Sequence, residues 1–305
     1  MCTSVAIHFD RFYFGRNLDL EYDFGDGVIF MPRNYKIKLK CGDIIPRHFA
    51  VFGMGIVRGD FPFFADACNE RGVCIAGLNF NGNAHYSEFT VNERINLAPF
   101  ELIPYILAKC DTANAAKEEI EKVNLVDVPF DENMPNTPLH FHLADKDNSY
   151  TLEFTRSGVF AYENPYGVLT NNPPFPFHLD NAKLYMHLSN NQPLDDEHYT
   201  GGVGAVGLPG DYTSPSRFVR AAWLRSIQNG QGELSTPDVF SLLYSVAPPR
   251  CAVITASGKE HFTRYTAVID TKKQQYYYRT YDSLEIKKVS IKDELFETDT
   301  VMLLD

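Results

Sequence analysis

The chain has 305 residues, of which 44% are hydrophobic and 22% charged, which suits one large domain or two ordinary ones with a substantial core. A formal net charge of −11 argues against binding to nucleic acid or to an anionic membrane surface, because both need clustered lysine and arginine. No apolar run reaches the ~18 residues of a membrane span, and residues 1–20 lack the apolar region of a signal peptide. The six cysteines form no C-x-x-C pair, so we expect reduced thiols in a cytoplasm and neither a zinc ribbon nor a thioredoxin motif.

Short β-type segments open the chain, a helical region follows, and the alternation then repeats. Predicted strands, rich in Val, Ile and aromatic residues, cover residues 4–9, 12–14, 27–31, 49–54, 73–79, 139–144, 150–154, 158–162, 265–270, 275–280 and 284–289. Predicted helices cover residues 100–110, 113–123, 216–227 and 236–244. Asp111 or Thr112 can cap the second helix, and Pro215 and Pro237 suit the starts of the last two. This order favours one α+β domain, residues 1–305, with helices covering sheets.

Cys2 lies directly behind the initiator methionine and is small enough for Met1 to be removed. The product would carry a thiol and a free α-amine on one residue, and such groups titrate within reach of neutral pH. A nucleophile would then have its own base. A cysteine at this position without further context is usually only a cysteine, so the argument depends on the residues that accompany it.

Arg16 and Asp19 lie one predicted hairpin away from Cys2. If strand 4–9 pairs with strand 12–14 through a tight turn, residues 16–19 return beside residue 2. Arg16 would then favour the thiolate, and Asp19 would orient the α-ammonium or the leaving amine. The alternative is a surface ion pair of little energetic weight, and this stretch alone does not decide between the two.

Two asparagines at strand ends are candidates for an oxyanion hole. Asn79 ends the predicted strand 73–79, and Asn171 lies in the segment VLTNNP, residues 168–173. Amide N–H groups at such positions can donate to the negative charge that develops on a carbonyl oxygen during acyl transfer. The alternative is turn formation, which explains Asn172 before Pro173 better.

Arg217 lies in the first turn of the predicted helix 216–227, where a positive charge opposes the helix dipole. That position suggests a role elsewhere, such as holding a carboxylate or part of a catalytic network. Arg220, one turn further on, is expected to be a solvated side chain.

Two further patterns resemble ligand motifs but lack the required context. Residues 202–207 match G-x-G-x-x-G, yet Pro209 follows and no β-α-β unit precedes them, so a flexible loop is expected. His140 and His142 share one face of a predicted strand near Asp145, but a convincing third metal ligand is missing. We expect histidines of the core or of a pocket, and no metal or cofactor.

Aromatic residues near predicted loops are the candidates for an apolar substrate pocket. They are Tyr22, Phe24, Phe61, Phe63, Phe64 and Phe141. The alternative for these side chains is packing in the hydrophobic core.

Taken together, these segments resemble the choloylglycine hydrolase family, which contains bile salt hydrolases and penicillin V acylases within the N-terminal-nucleophile hydrolases. The matching motifs are Cys2-Thr3, FGRNLD (14–19), DACNERG (66–72), AGLNF (76–80), LTNNP (169–173), GLPGD (207–211) and SPSRF (214–218). Each motif is weak alone, but their order and spacing are specific, and they extend to about Tyr281.

The resemblance implies a four-layer αββα sandwich, often assembled as a homotetramer, without metal or cofactor. It implies Cys2 as nucleophile after Met1 removal, with Arg16 and Asp19 tuning and orienting that cysteine. It further implies Asn79 and Asn171 as the oxyanion-hole positions and Arg217 as the second arginine of the network.

The resemblance leaves the substrate open between two classes of amide with an apolar acyl group. Asn79 in GLNF resembles bile salt hydrolases, where many penicillin V acylases have tyrosine. The C-terminal stretch, residues 252–268, resembles penicillin V acylases more, and Phe141 replaces a tryptophan that often follows the equivalent of His140. A bile salt hydrolase is the first hypothesis, and a penicillin V acylase or an N-acyl homoserine lactone acylase the second. A non-catalytic ligand-binding protein is a third.

Overall fold

The computed structural model describes residues 1–8, 11–21, 27–191, 204–228 and 234–304, and strands are its main elements. The strands, in chain order, are β1 (Cys2–His8), β2 (Phe12–Leu20), β3 (Gly27–Met31), β4 (Ile37–Lys38), β5 (Ile44–Ile45), β6 (Val51–Arg58), β7 (Phe61–Asn69), β8 (Cys74–Asn79), β9 (Ile95–Leu97), β10 (Val123–Leu125), β11 (Leu139–Ala144), β12 (Ser149–Thr155), β13 (Gly158–Glu163), β14 (Val168–Leu169), β15 (Phe262–Asp270), β16 (Gln275–Thr280), β17 (Lys287–Ser290) and β18 (Met302–Leu304). The helices are α1 (Leu102–Lys109), α2 (Ala113–Ile120), α3 (Phe175–Lys183), α4 (Ser214–Gln228) and α5 (Thr236–Ser245), with short 3-10 turns at Pro99–Glu101 and Asp293–Leu295.

Two large antiparallel sheets lie between layers of helices. The first sheet has the strand order β14-β1-β2-β15-β16-β17, and the second has the order β13-β12-β11-β8-β7-β6-β3-β18. Helices α4 and α5 pack on the first sheet and α3 packs on α4, while α1 and α2 pack on the second sheet. The expected αββα sandwich is therefore confirmed. Within the described residues, no helix is long and apolar enough to span a membrane.

The hydrophobic core has two clusters, because central strands of the second sheet such as β8 and β11 bury both of their faces. Along β8, Cys74, Ala76 and Leu78 belong to the cluster that contains Cys2, whereas Ile75 belongs to the cluster with α1 and α2. The second sheet therefore separates the two clusters. A buried side chain of this sheet faces either the cluster that contains Cys2 or the cluster of α1 and α2.

The pairing of β2 with both β1 and β15 brings the first strand of the chain and residues 262–270 into one sheet. Gly15 on β2 is needed at this point, because a Cβ there would lie 2.9 Å from Leu243 Cδ1 and 3.0 Å from the Ala267 carbonyl oxygen. The absence of a side chain lets α5 approach the strand that carries Arg16 and Asp19.

The predicted segments match the structure best where hydrophobic patterns are short and clearly bounded. The strands predicted at 27–31, 139–144 and 275–280 have the observed bounds, and Thr112 caps α2 by accepting a hydrogen bond from the Ala115 N–H at 3.1 Å. The predicted helix 113–123 ends earlier, at Ile120, because residues 123–125 pair with β9. Strands β7 and β18 and helix α3 were not predicted, since their sequences show neither regular alternation nor a clear helical period.

Candidate active site

The β1–β2 hairpin places the residues around Arg16 beside Cys2. Cys2 pairs with Leu18 and Ser4 pairs with Arg16, so the hairpin expected from the sequence is confirmed. Because side chains alternate along a strand, Cys2 and Arg16 face the second sheet, whereas Thr3 and Asp19 face the helices. The thiol and the backbone of Cys2 are therefore approached by different groups from the two sides.

Arg16 is a fully buried cation on the face of the thiol. Its Nη1 donates to the Ala65 carbonyl oxygen at 2.7 Å and lies 3.8 Å from Asp66 Oδ2. Burial lowers the pKa of Arg16, but the acidic groups around it, with Tyr265, Cys2 and Asp66 foremost, outweigh burial and raise the pKa above its ordinary value. A guanidinium that stays charged here favours a negative sulfur on Cys2.

Asp19 is a buried carboxylate on the face toward the helices. Its Oδ1 accepts a hydrogen bond from Thr263 Oγ1 at 2.7 Å, while Oδ2 has no hydrogen-bond partner among the described residues. Burial raises the pKa of Asp19, against the lowering effects of Arg217 and of the N-terminal ammonium. The free Oδ2 is an acceptor that could take a proton-bearing nitrogen.

Asn171 contacts the backbone nitrogen of Cys2 directly. Its Oδ1 accepts from the Cys2 N–H at 2.8 Å, and its Nδ2 donates to the Asn79 carbonyl oxygen at 2.8 Å. Ser214 Oγ accepts from the Asn171 N–H at 2.8 Å, and His178 Nε2 lies 2.8 Å from the Asn171 carbonyl oxygen. The asparagine is thus held at its backbone and side chain, and the second N–H of its amide remains to donate elsewhere.

Arg217 joins the first residues of β1 to Asn171. Its Nη1 donates to the Cys2 carbonyl oxygen and, at 2.7 Å, to Thr3 Oγ1, and its Nη2 donates to Asn171 Oδ1 at 2.8 Å. Nε donates to the Tyr212 carbonyl oxygen at 3.0 Å. Burial lowers the pKa of Arg217, although Asp19 and Cys2 oppose that effect. The role expected from its position at the helix start is consistent with these contacts.

Asn79 lies at the end of β8, next to Asn171. Its Oδ1 accepts from the Asn81 N–H at 3.1 Å, which leaves the amide nitrogen as the free donor of this side chain. The structure therefore brings Cys2, Asn171, Arg217 and Asn79 into one continuous set of contacts.

Met1 is present and continues the β1–β2 pairing. Its α-ammonium donates to the Asp19 carbonyl oxygen at 2.8 Å, and the Asp19 N–H donates to the Met1 carbonyl oxygen at 2.9 Å. The ammonium also lies 3.4 Å from His261 Nδ1. In this form the nitrogen of Cys2 is an amide, so loss of Met1 would free both that nitrogen and the backbone groups of Asp19.

The histidines expected in the core or in a pocket are buried and hydrogen-bonded. His142 lies between Ser4 Oγ at 2.7 Å and Ser149 Oγ at 2.9 Å, and burial is the main cause that lowers its pKa to about 3. His140 Nε2 lies 3.1 Å from the Thr170 carbonyl oxygen, and its ring stacks on Phe80. His140 therefore supports the segment that carries Asn171. Residues 202 and 203 of the glycine-rich motif lie outside the described residues.

The four expected pocket aromatics that the structure describes lie in or against the α1–α2 cluster and not in the cluster that contains Cys2. Tyr22 and Phe24 lie outside the described residues. Phe141 is 0% exposed and lies in the α1–α2 cluster, on the opposite face of β11 from the histidines, so its expected contact with substrate is wrong. Phe61 and Phe64 belong to the same cluster and Phe63 packs against it, which favours core packing, the alternative, for all three.

Some contacts of the site were missed or misjudged from the sequence. Arg220 is buried and not solvated, because its guanidinium donates to the carbonyl oxygens of Ser245, Pro209 and Asp211. Ser214 and His178 hold Asn171 but were not singled out. The Ser-Pro start of α4 indicated a helix end, yet no local pattern connects it with residue 171.

The fold and the site define a class of protein. A cysteine one position from the N-terminus, with its nitrogen and carbonyl held by Asn171 and Arg217 in an αββα sandwich, is the arrangement of an N-terminal-nucleophile amidohydrolase. The chain belongs to the choloylglycine hydrolase family of linear amide C–N hydrolases, whose family model matches residues 2–303.

Curated relatives and solved structures agree with this family over nearly the whole chain. A bile salt hydrolase/transferase from Lactiplantibacillus plantarum is 39% identical over 309 residues, covering 98% of this chain and 94% of the relative. Another from Clostridium perfringens is 37% identical, covering 96% of this chain and 93% of the relative. A solved structure of a mutant conjugated bile acid hydrolase from Clostridium perfringens has a TM-score of 0.93 at 34% identity, covering 100% of this chain and 97% of that one. A penicillin V acylase from Agrobacterium tumefaciens shares the fold, with a TM-score of 0.78 at 20% identity, covering 99% and 90% of the two chains.

Proposed function

We propose that this enzyme hydrolyses the amide bond of glycine- or taurine-conjugated bile salts, with Cys2 as the nucleophile once Met1 has been removed. The proposed mechanism rests on the hydrogen bond from the Cys2 nitrogen to Asn171 Oδ1, an oxygen that also accepts from Arg217 Nη2. The choice of bile salts is supported by relatives of that name that are 39% and 37% identical over nearly the whole chain.

Removal of Met1 turns the Cys2 nitrogen into an α-amine that can accept the thiol proton. Asn171 Oδ1 is placed to hold that amine by one hydrogen bond. Asp19 Oδ2, buried and without a partner among the described residues, is the second group that would orient it. In our proposal Arg16, on the face toward the second sheet, favours the thiolate, whereas Asp19 acts on the nitrogen from the face toward the helices. Different residues therefore act on the sulfur and on the nitrogen of Cys2.

The thiolate attacks the amide carbonyl carbon, and the carbonyl electrons move to the oxygen. The free amide N–H groups of Asn79 and Asn171 would donate to that oxyanion. The α-ammonium of Cys2 gives its proton to the departing amine as the C–N bond breaks, which leaves a thioester on Cys2. Water then adds to the thioester, the same amine takes a proton from it, and the acid leaves as the thiol is regenerated.

Penicillin V hydrolysis is the alternative with the same mechanism, and an N-acyl homoserine lactone is a further acyl substrate of this kind. The fold is shared with a penicillin V acylase, but at 20% identity that likeness supports only the fold. A non-catalytic ligand-binding role is the remaining alternative. All six residues expected at the catalytic positions, Cys2, Arg16, Asp19, Asn79, Asn171 and Arg217, are present in the sequence, which argues against it.

The proposal is tested by amine release from glycocholate, taurocholate, penicillin V and an N-acyl homoserine lactone, using protein whose Met1 removal has been confirmed by intact mass. We expect strong turnover of the bile salts and weak cleavage of the others. Cys2→Ala should abolish turnover without unfolding the protein, whereas Cys41→Ala, a thiol outside the site, should retain it. Preferred cleavage of penicillin V would support the alternative, and near-wild-type turnover by Cys2→Ala would exclude both.

We also propose that residues 1–305 act as one domain in a homotetramer in the bacterial cytoplasm, without metal, cofactor, nucleic acid or membrane as partner. Exposed apolar side chains support self-association, among them Leu184 and Met186, which are 73% and 82% exposed. The cysteines are all free thiols, as a reducing compartment requires. Light scattering of the purified protein measures the tetramer, and a monomer would contradict it.

A further inference from the structure

The bulge in β7 gives Arg16 its only fixed hydrogen bond from the second sheet among the described residues. Met54 pairs with Asp66 and Gly55 pairs with Phe64, so Ala65 is the extra residue of the strand. Its carbonyl oxygen accepts from Arg16 Nη1 at 2.7 Å. A Cβ on Gly55 would lie 1.9 Å from the Phe63 carbonyl oxygen, so this close pairing needs glycine. The bulge thus turns one carbonyl and one carboxylate toward Arg16.

The carboxylate of Asp66 is engaged mainly by two tyrosines and not by Arg16. Tyr276 donates its hydroxyl to Oδ1 at 2.6 Å, and Tyr265 donates to Oδ2 at 2.7 Å. Arg16 Nη1 lies 3.8 Å from Oδ2, which is beyond hydrogen-bond distance. Asp66 is 1% exposed and Tyr276 0% exposed, so water does not screen this arrangement.

Arg16 therefore keeps donors that no oxygen in the described part of the chain accepts from. Its Nε and Nη2 are buried and have no hydrogen-bond partner among the described residues. Buried donors of a charged group are costly when left unpaired. The titratable and charged groups that act on Arg16 are Cys2, Asp19, Asp66, Tyr265 and Tyr276. Cys2 is the group of this set that the proposed function requires to be negative.

We propose that Tyr265 and Tyr276 are positioning residues: they hold Asp66, the counter-ion that competes for Arg16, back so that the guanidinium stays available to the Cys2 sulfur. This inference rests on the proposed role of Cys2 as nucleophile. With both hydroxyls present, Asp66 balances the buried charge of Arg16 without forming a close bidentate pair. Without the hydroxyls, the carboxylate is free to move onto Arg16 and to draw the guanidinium away from the sulfur.

The test compares a variant that should slow alkylation of Cys2 with one that should not. In Met1-processed protein, the rate at which iodoacetamide alkylates Cys2 is followed by the mass of the N-terminal peptide between pH 5 and pH 10. The double variant Tyr265→Phe with Tyr276→Phe should slow alkylation at pH 7 about tenfold, because less of the sulfur is then thiolate, and leave the rate at pH 10 unchanged. Asp66→Asn removes the competing charge, so its alkylation at pH 7 should be no slower than wild type. Tyr277→Phe, on the same strand and facing away, is the matched control.

A purely structural network would move both kinds of variant in the same direction. Slower alkylation in Asp66→Asn, or wild-type alkylation in the double variant, overturns the proposal. If Asp66→Asn does not fold, Tyr276→Phe decides alone: the rise of its alkylation rate with pH should move to higher pH, and an unmoved profile refutes the inference. Alkylation needs no substrate, so failure of this proposal is distinct from failure of wild-type enzyme to cleave bile salts.

Discussion

Replacement of Arg217 by lysine tests the proposed network most directly. Arg217 is 0% exposed and donates to four acceptors: the carbonyl oxygens of Tyr212 and Cys2, Thr3 Oγ1 and Asn171 Oδ1. A lysine keeps the charge, but its single nitrogen cannot reproduce the planar fork that reaches residues on three segments. At least two of the four bonds should be lost.

The magnitude follows from the number of bonds. A hydrogen bond to a charged group contributes about 1.5–3 kcal/mol, so the loss of two predicts a decrease of about 3–6 kcal/mol in the free energy of unfolding. The Cys2 backbone and the Asn171 amide would also lose their common anchor. A displacement of about 1 Å in such groups lowers kcat roughly 100-fold.

Urea unfolding and amine release from a conjugated bile salt measure the two effects. Arg220→Lys is the matched control, because Arg220 is a buried arginine of the same helix whose partners are the carbonyl oxygens of Ser245, Pro209 and Asp211. We expect the control to lose stability but to retain kcat. A kcat of Arg217→Lys within about twofold of wild type would refute the reasoning. An equal loss of kcat in Arg220→Lys would refute it as well.

Three further predictions concern Met1, His142 and Gly15. Protein that retains Met1 should be inactive because the Cys2 nitrogen is then an amide, so activity across preparations should follow the Met1-free fraction by intact mass; activity independent of that fraction would contradict the α-amine as base. Burial lowers the pKa of His142 to about 3, so only the unfolded state binds this proton between pH 6.5 and pH 3, and the stability present above pH 6.5 is lost as the pH falls. At pH 5 the loss is about 2 kcal/mol of the free energy of unfolding. Between pH 7 and pH 5, the free energy of unfolding of His142→Gln, measured in urea, should therefore fall by about 2 kcal/mol less than that of wild type. An equal fall in both proteins would exclude His142 as a source of the pH dependence. Gly15→Ala should destabilise the fold by about 1–3 kcal/mol by thermal or urea unfolding, since the new Cβ would lie 2.9 Å from Leu243 Cδ1; partial rescue by Leu243→Ala would confirm that contact, and no loss would contradict it.

The placement of residues 16–19 beside Cys2 could be predicted because it depends on one local hairpin. The pocket was harder to predict, since an aromatic residue near a loop is equally suited to a core. Phe141 illustrates this limit: its face on β11 depends on the register with β8, in which Phe141 pairs with the distant Gly77. A shift of one residue would have exchanged it with the histidines.

The sequence by itself determined most of the longer strands and helices, the cysteine behind Met1 and the residue types of the site, because short patterns and motif spacing are local properties. Only the tertiary structure decided that Asn171 presents its oxygen to the Cys2 nitrogen across 169 positions, and that Arg217 reaches the Cys2 carbonyl across 215. It also decided that two tyrosines, and not Arg16, hold the oxygens of Asp66. The physical reason is that donors and acceptors in a buried site are paired by the packing of distant strands, which also leaves Asp19 Oδ2 and two nitrogens of Arg16 without a partner among the described residues.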